Sequence, residues 1–102
     1  MLATISVRKI KRSCVEVSSI LKALSHPQRL MILGHLLSGE KTVTELVDAC
    51  GISQSQMSQF LARMKAEGLI ACRRDGRYQY YNVADDRLMK LMRAIQDQYC
   101  GI

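Results

Sequence analysis

Ser53-Gln54-Ser55-Gln56-Met57-Ser58-Gln59-Phe60-Leu61-Ala62-Arg63 is the stretch on which the fold turns. Met57, Leu61 and Met64 recur at i, i+4 and i+7 and make one apolar face of a helix. The remaining surface carries Gln54, Ser55, Gln56, Ser58, Gln59, Arg63 and Lys65: neutral hydrogen-bonding groups first, positive charge afterwards. Ser53 is placed to cap the helix, its hydroxyl accepting from a first-turn N–H that has no partner inside the helix. A surface helix that serves only solubility is usually laced with Glu–Lys pairs, and this one is not. Short side chains that both donate and accept suit a helix in the DNA major groove. There each base pair shows a distinct donor and acceptor pattern, and Gln can bond bidentately to adenine. On this stretch alone, a polar surface helix in an ordinary bundle is the plain alternative.

The flanks favour the first reading. Upstream, Thr42 caps a short helix, and Glu45 three residues on completes a capping box. Val43, Leu46, Val47 and Cys50 supply its inner face, and Gly51 suits its left-handed C-terminal position. Only Gly51-Ile52 separates it from the helix that begins near Ser53, which is the helix-turn-helix arrangement with the second helix as reader. Downstream, Gly68 ends that helix and the apolar period changes from 3.6 to 2. Residues 69–74 and 77–83 read as two strands around Asp75-Gly76, a hairpin signal, with Arg73, Arg74 and Arg77 flanking the tip. A hairpin directly after a reading helix, tipped with guanidinium groups, is a wing able to reach phosphate or a minor groove. A charged, solvated hairpin end is the alternative.

The outer elements complete the domain. Residues 1–12 carry Arg8, Lys9, Lys11 and Arg12 without an acid and show no helix start signal; they are expected to form a basic N-terminal arm. From about Ser13, the residues Cys14, Val17, Leu21 and Leu24 follow the 3-4-3 spacing of a heptad-like seam. Ser25-His26-Pro27 punctuates the chain, because proline suits the first turn of a helix and not its interior. Leu30, Ile32, Leu33, Leu36 and Leu37 then make a helix apolar on most of its surface, ended by Ser38-Gly39-Glu40. Ala84-Asp85-Asp86 opens a last helix, lined by Leu88, Leu91, Met92, Ile95 and Tyr99, its acids at the positive dipole end. The expected class is mainly α with a small β-hairpin: a winged helix-turn-helix of five helices plus a two-stranded wing (α-α-α-α-β-β-α), over residues 13–102. A core this small does not need two further apolar stripes, so the first and last helices are expected to form a dimer interface. The alternative is that both close over their own core.

With 102 residues, a net charge of +6 and a pI of about 9.4, the chain is one basic domain suited to a polyanionic partner. The charge collects on residues 1–12 and on 53–80, where five bases face only Glu67 and Asp75. No run reaches the roughly 20 apolar residues of a membrane span. The basic start leads into Ser13-Cys14-Val15-Glu16 and not into a signal-peptide core, so the expected location is the cytoplasm. There, four cysteines are expected as thiols and not as a disulfide framework. No nucleophile, base and orienter set, glycine-rich phosphate loop or carboxylate pair can be assembled, so no enzymatic activity and no cofactor are expected. A protein-interaction module that never reads DNA is the rival class.

The order of helix, Leu21-Lys22-Ala23-Leu24-Ser25-His26-Pro27-Gln28-Arg29-Leu30, buried helix, Gly51-Ile52-Ser53-Gln54-Ser55-Gln56-Met57-Ser58-Gln59 and wing resembles the ArsR-type family of winged-helix regulators over about residues 18–100. The resemblance implies a homodimer that binds double-stranded DNA at an imperfect palindrome and represses transcription until an inducer lowers its affinity. Paired reading helices would enter major grooves about 34 Å apart. It also implies DNA contacts from Gln54, Ser55, Gln56, Ser58 and Gln59. Phe60 departs from the histidine common there. An anti-repressor that activates by displacing a nucleoid protein is the alternative with the same DNA contacts.

Many relatives sense metals, and here the chain departs from them. Thr42 and Thr44 stand where the family's arsenic site puts cysteines, and the last helix has no histidine for the zinc-type site. His26 reads as a helix-start residue and His35 as a surface or interface one, so no metal site is expected. Other relatives sense sulfide, persulfide or oxidants through one cysteine on the second helix and one near the end of the last. Cys100 matches the latter position, whereas Gly34 replaces the former. Cys14 is the substitute partner for a Cys14–Cys100 switch, which needs Cα atoms within about 7 Å. Cys14 with Cys50 of the other subunit is a second possibility, for a thiol or soft-metal site. Cys50 and Cys72 read as small apolar packing residues, an alternative that also stands for Cys14 and Cys100.

Overall fold

Helix α1 (Val7–Leu24) begins at Val7 and not near Ser13, because Ser6 caps it: its hydroxyl accepts from the Lys9 N–H at 3.2 Å. The 3-4-3 seam therefore runs back through Ile10 to Val7, and Arg8, Lys9, Lys11 and Arg12 sit on helix where an arm was expected. The computed structural model describes residues 6–100, so residues 1–5 of that arm, and residues 101–102, lie outside the described residues. After α1 come α2 (Pro27–Leu36), β1 (Lys41–Thr42), α3 (Val43–Cys50), α4 (Gln54–Ala66), β2 (Ile70–Asp75), β3 (Tyr78–Val83) and α5 (Asp86–Tyr99). Five helices in this order, with a hairpin after α4, make a winged helix-turn-helix.

The chain divides into two compact units, one ending at Leu30 and one starting at Met31. In the first, the turn between α1 and α2 is held locally. His26 Nδ1 accepts from the Gln28 N–H at 3.1 Å, as a helix-start residue does, and the buried Arg29 donates through Nη1 to the Ala23 carbonyl at 3.0 Å. Along α1, Val7, Val15, Val17 and Leu21 are all at least half exposed.

The second unit holds nearly all of the core. Ile32, Leu33 and Leu36 of α2, Leu46 of α3, and Met57, Leu61 and Met64 of α4 are buried with Leu69, Ile70, Val83, Leu88 and Met92. The expected capping box forms: Thr42 and Glu45 exchange hydrogen bonds across the first turn of α3. Asp85, expected as an acid at the positive end of the last helix, also caps it, its Oδ1 accepting from the Arg87 N–H at 2.7 Å. Gly51, at φ 69°, takes the left-handed step that closes α3 and lets α4 start three residues later against it.

Two features of the sheet differ from the sequence reading. The sheet has three strands, in the order β1-β3-β2, because Lys41 and Thr42 pair with Tyr81 and Tyr80. Two residues give no readable period, so this strand was invisible in the sequence. The hairpin is also slid by one residue. Asp75 pairs with Tyr78, which leaves Gly76-Arg77 and not Asp75-Gly76 as the turn. Gly76 has φ 62° and, among the described residues, no residue other than glycine has positive φ, so glycine holds the first central position of a II′-type turn. This register sets the buried Ile70 opposite the buried Val83, whereas the expected one would have put Arg74 directly across from Arg77.

Candidate nucleic-acid interface

α4 presents its polar face as the sequence reading expects. Gln54, Ser55, Ser58, Gln59 and Arg63 are exposed while Met57, Leu61 and Met64 are buried. At 3.6 residues per turn, Ser55 and Gln59 lie most nearly opposite the buried stripe, with Ala62 and Arg63 one turn further on. Gln59 is therefore the longest neutral side chain on the outermost line of the helix. Arg63 makes no ion pair among the described residues.

Gln56 is placed differently from its neighbours. The Ser53 hydroxyl accepts from the Gln56 N–H at 3.1 Å, and Gln56 Oε1 accepts from the Ser53 N–H and hydroxyl, both at 3.3 Å. The capping box thus occupies the carbonyl end of Gln56 and leaves only its NH₂ for a ligand. Ser-x-x-Gln is a capping-box spacing, so this use of Gln56 is legible in the sequence beside the base contact expected of it. Gln56→Ala is expected to cost about 0.5–1 kcal/mol of stability in the free protein. Gln59→Ala should stay within about 0.5 kcal/mol of wild type in the same urea titration. Equal stabilities for the two variants would remove Gln56 from the cap.

In the wing, the three arginines named from the sequence part company. Arg74 and Arg77 are exposed and make no ion pair among the described residues. Arg73 is taken up: Nε and Nη2 fork onto the Glu40 carboxylate at 2.9 and 2.6 Å, and the guanidinium lies 4.6 Å over the Tyr80 ring. The Arg73 hydrogen bonds hold the Glu40 carboxyl below the usual carboxylate range, and Glu40 in turn raises Arg73. A depressed carboxylate is fully charged at neutral pH. Its contribution to stability is complete above the ordinary glutamate range and is lost as pH falls through the lowered value. Glu40 lies 33 residues from Arg73, and no periodicity or motif in the sequence links them.

The cysteines also separate by environment. Cys14, on α1, and Cys100, the C-terminal cap of α5, are exposed. Cys50 and Cys72 are half-buried, as packing residues are, and burial pushes the Cys50 thiol up, away from the reactive thiolate. Cys72 stands opposite Tyr81, whose hydroxyl is pushed up by burial and by that thiol. Gly34, at the position where the family resemblance implies a second-helix cysteine, has open space beside its Cα. It lines a shallow groove of about 300 Å³ with Leu37, Ser38, Arg93, Gln96 and Asp97. Among the described residues no three His, Cys, Asp or Glu side chains gather closely enough to hold a metal ion, and no helix is long and apolar enough to cross a membrane.

Residues 26–71 match the family described as "Bacterial regulatory protein, arsR family". The HTH-type transcriptional regulator YgaV of Escherichia coli is 36% identical over 94 residues, covering 90% of this chain and 94% of that protein. The crystal structure of the transcriptional repressor BigR from Xylella fastidiosa superposes with a TM-score of 0.85 at 31% identity, covering 94% of this chain and 95% of that one. The solution structure of the homodimeric winged helix-turn-helix DNA-binding domain of Mb0332 from Mycobacterium bovis superposes with a TM-score of 0.75 at 34% identity, over 89% and 83%.

Proposed function

The chain belongs to the ArsR family of bacterial regulatory proteins, and from that membership we propose a homodimeric repressor whose hold on an imperfect palindrome is released by a thiol-reactive signal. It is a DNA-binding transcriptional regulator and not an enzyme, as its relatives are. The observation that carries the DNA-contact assignment is the division of labour on its surface. An uncharged, hydrogen-bonding helix face of Gln54, Ser55, Ser58 and Gln59 leads into Arg63, and two guanidinium groups that are unpaired among the described residues, Arg74 and Arg77, stand at the wing tip. Neutral donors and acceptors discriminate bases, and free guanidinium groups hold phosphate. Dimerisation is supported by the exposed seam of Val7, Val17 and Leu21 on α1 and by the exposed Leu91 and Tyr99 on α5, which a lone domain leaves in water.

The thiol signal rests on Cys14 and Cys100, the two cysteines that solvent reaches freely. The test is titration of the reduced protein against its own upstream DNA, before and after an oxidant or a persulfide donor, with Cys100→Ser alongside. Binding that treatment weakens at least tenfold in the wild type and leaves intact in Cys100→Ser supports the switch. Binding indifferent to treatment keeps the repressor and discards the thiol signal.

A further inference from the structure

We infer that Glu40 and Arg73 form a positioning clamp for the wing, so that Glu40, an acid on a DNA-binding surface, strengthens DNA binding. The inference rests on the DNA-contact reading above and narrows it by removing Arg73 from the phosphate contacts. The pleat puts Arg73 and Tyr80 on one face of the hairpin, directly paired, with Tyr78 next along β3 on that face. Thr42 of β1 pairs with Tyr80 from the other side, and Glu40 lies two residues before it, on the same face. From β2, the Arg73 side chain therefore crosses the Tyr80 ring of β3 and reaches the carboxylate of Glu40, the residue just before β1. One side chain thus ties β2 and β3 to the segment that leads into β1.

The guanidinium has little left to offer a phosphate. One edge is forked onto Glu40, with contacts of 3.1 and 2.9 Å from Nε and 2.6 Å from Nη2. Nη1 on the other edge lies 3.7 Å from Asp75, and the flat face covers Tyr80, whose ring packs at 6.4 Å on Tyr78 beside the turn. β1 runs straight into the capping residue of α3, and α3 packs on α4. The clamp thus joins the hairpin to the start of the helix-turn-helix. Holding the wing in one geometry before DNA arrives removes an ordering cost from binding. Arg74 and Arg77, with no partners among the described residues, keep the phosphate role.

The test uses the duplex that the wild-type protein selects from a random-sequence pool, with affinity read by fluorescence anisotropy across a salt series. Removing an acid near DNA ordinarily tightens binding. Here Glu40→Gln is expected to weaken it about threefold to tenfold with the salt slope unchanged. Arg73→Lys keeps the charge and loses the fork, and it should weaken binding as much as Glu40→Gln does. The double variant should lose no more than either single one. Arg77→Gln, the control, should flatten the slope by about one phosphate contact. Glu40→Gln binding as tightly as wild type or tighter, Arg73→Lys binding like wild type, or Arg73→Gln flattening the slope as Arg77→Gln does, each overturns the clamp. Both substituted side chains are exposed, and circular dichroism checks that the variants fold. If the wild-type protein selects no duplex, the DNA-contact reading itself fails and the clamp with it.

Discussion

Gln59→Ala is expected to weaken binding to the cognate duplex by about 1–3 kcal/mol, roughly fivefold to a hundred and fiftyfold, with the loss traceable to one base pair in each half-site. Gln59 is exposed on the line of α4 farthest from its buried stripe, and its amide both donates and accepts. Truncation to alanine removes the base-reading group while the helix keeps its cap at Ser53 and its buried anchors. The diagnostic is the partnered base and not the affinity alone. A duplex changed at that base should bind the wild type more weakly and the variant no worse than the original. The salt dependence should stay where it was, because no phosphate contact is lost. A loss spread evenly over all sequences would move Gln59 from base reading to backbone positioning.

Leu61→Ala is expected to lower stability by about 2–5 kcal/mol, and for a domain of this size to lower Tm by about 10–30 °C. Leu61 is only 1% exposed, between Met57 and Met64 on the one stripe that seats α4 in the core. The deleted methyls leave a cavity that two neighbouring methionines only partly fill, which places the cost within the range seen for buried leucines. Unfolding of wild type and variant is compared at one protein concentration, because the proposed dimer would make Tm depend on concentration. A loss below about 1 kcal/mol would mean that α4 is held by something other than this stripe. Together the two substitutions separate the faces of one helix: the outer face changes binding at constant stability, and the inner face changes stability first.

Helix α4, its capping serine, the Thr42–Glu45 capping box, Gly51 as the left-handed step and the wing after Gly68 were all legible in the sequence. Each is a signal between residues four or fewer apart. The start of α1 was legible too, since Val7 and Ile10 continue the seam of Cys14, Val17, Leu21 and Leu24. The fork of Gln56 onto Ser53 was likewise written in the Ser-x-x-Gln spacing.

Whatever depends on hydrogen bonds within one turn, or on an apolar period along one element, was therefore determined by the sequence itself. That includes the helix order and the polar surface that α4 presents. Tertiary structure alone decided the hairpin register, the third strand and the fate of Arg73. A two-residue turn tolerates glycine at either central position, so turn chemistry left both registers open, and the pairing of Ile70 with Val83, with Arg74 kept from facing Arg77, separates them. Lys41 and Thr42 become a strand only because β3 offers them an edge. Arg73 was chemically equal to Arg74 and Arg77 along the chain. It became a partner of Glu40 only when the sheet brought together residues far apart in sequence, which no local pattern encodes.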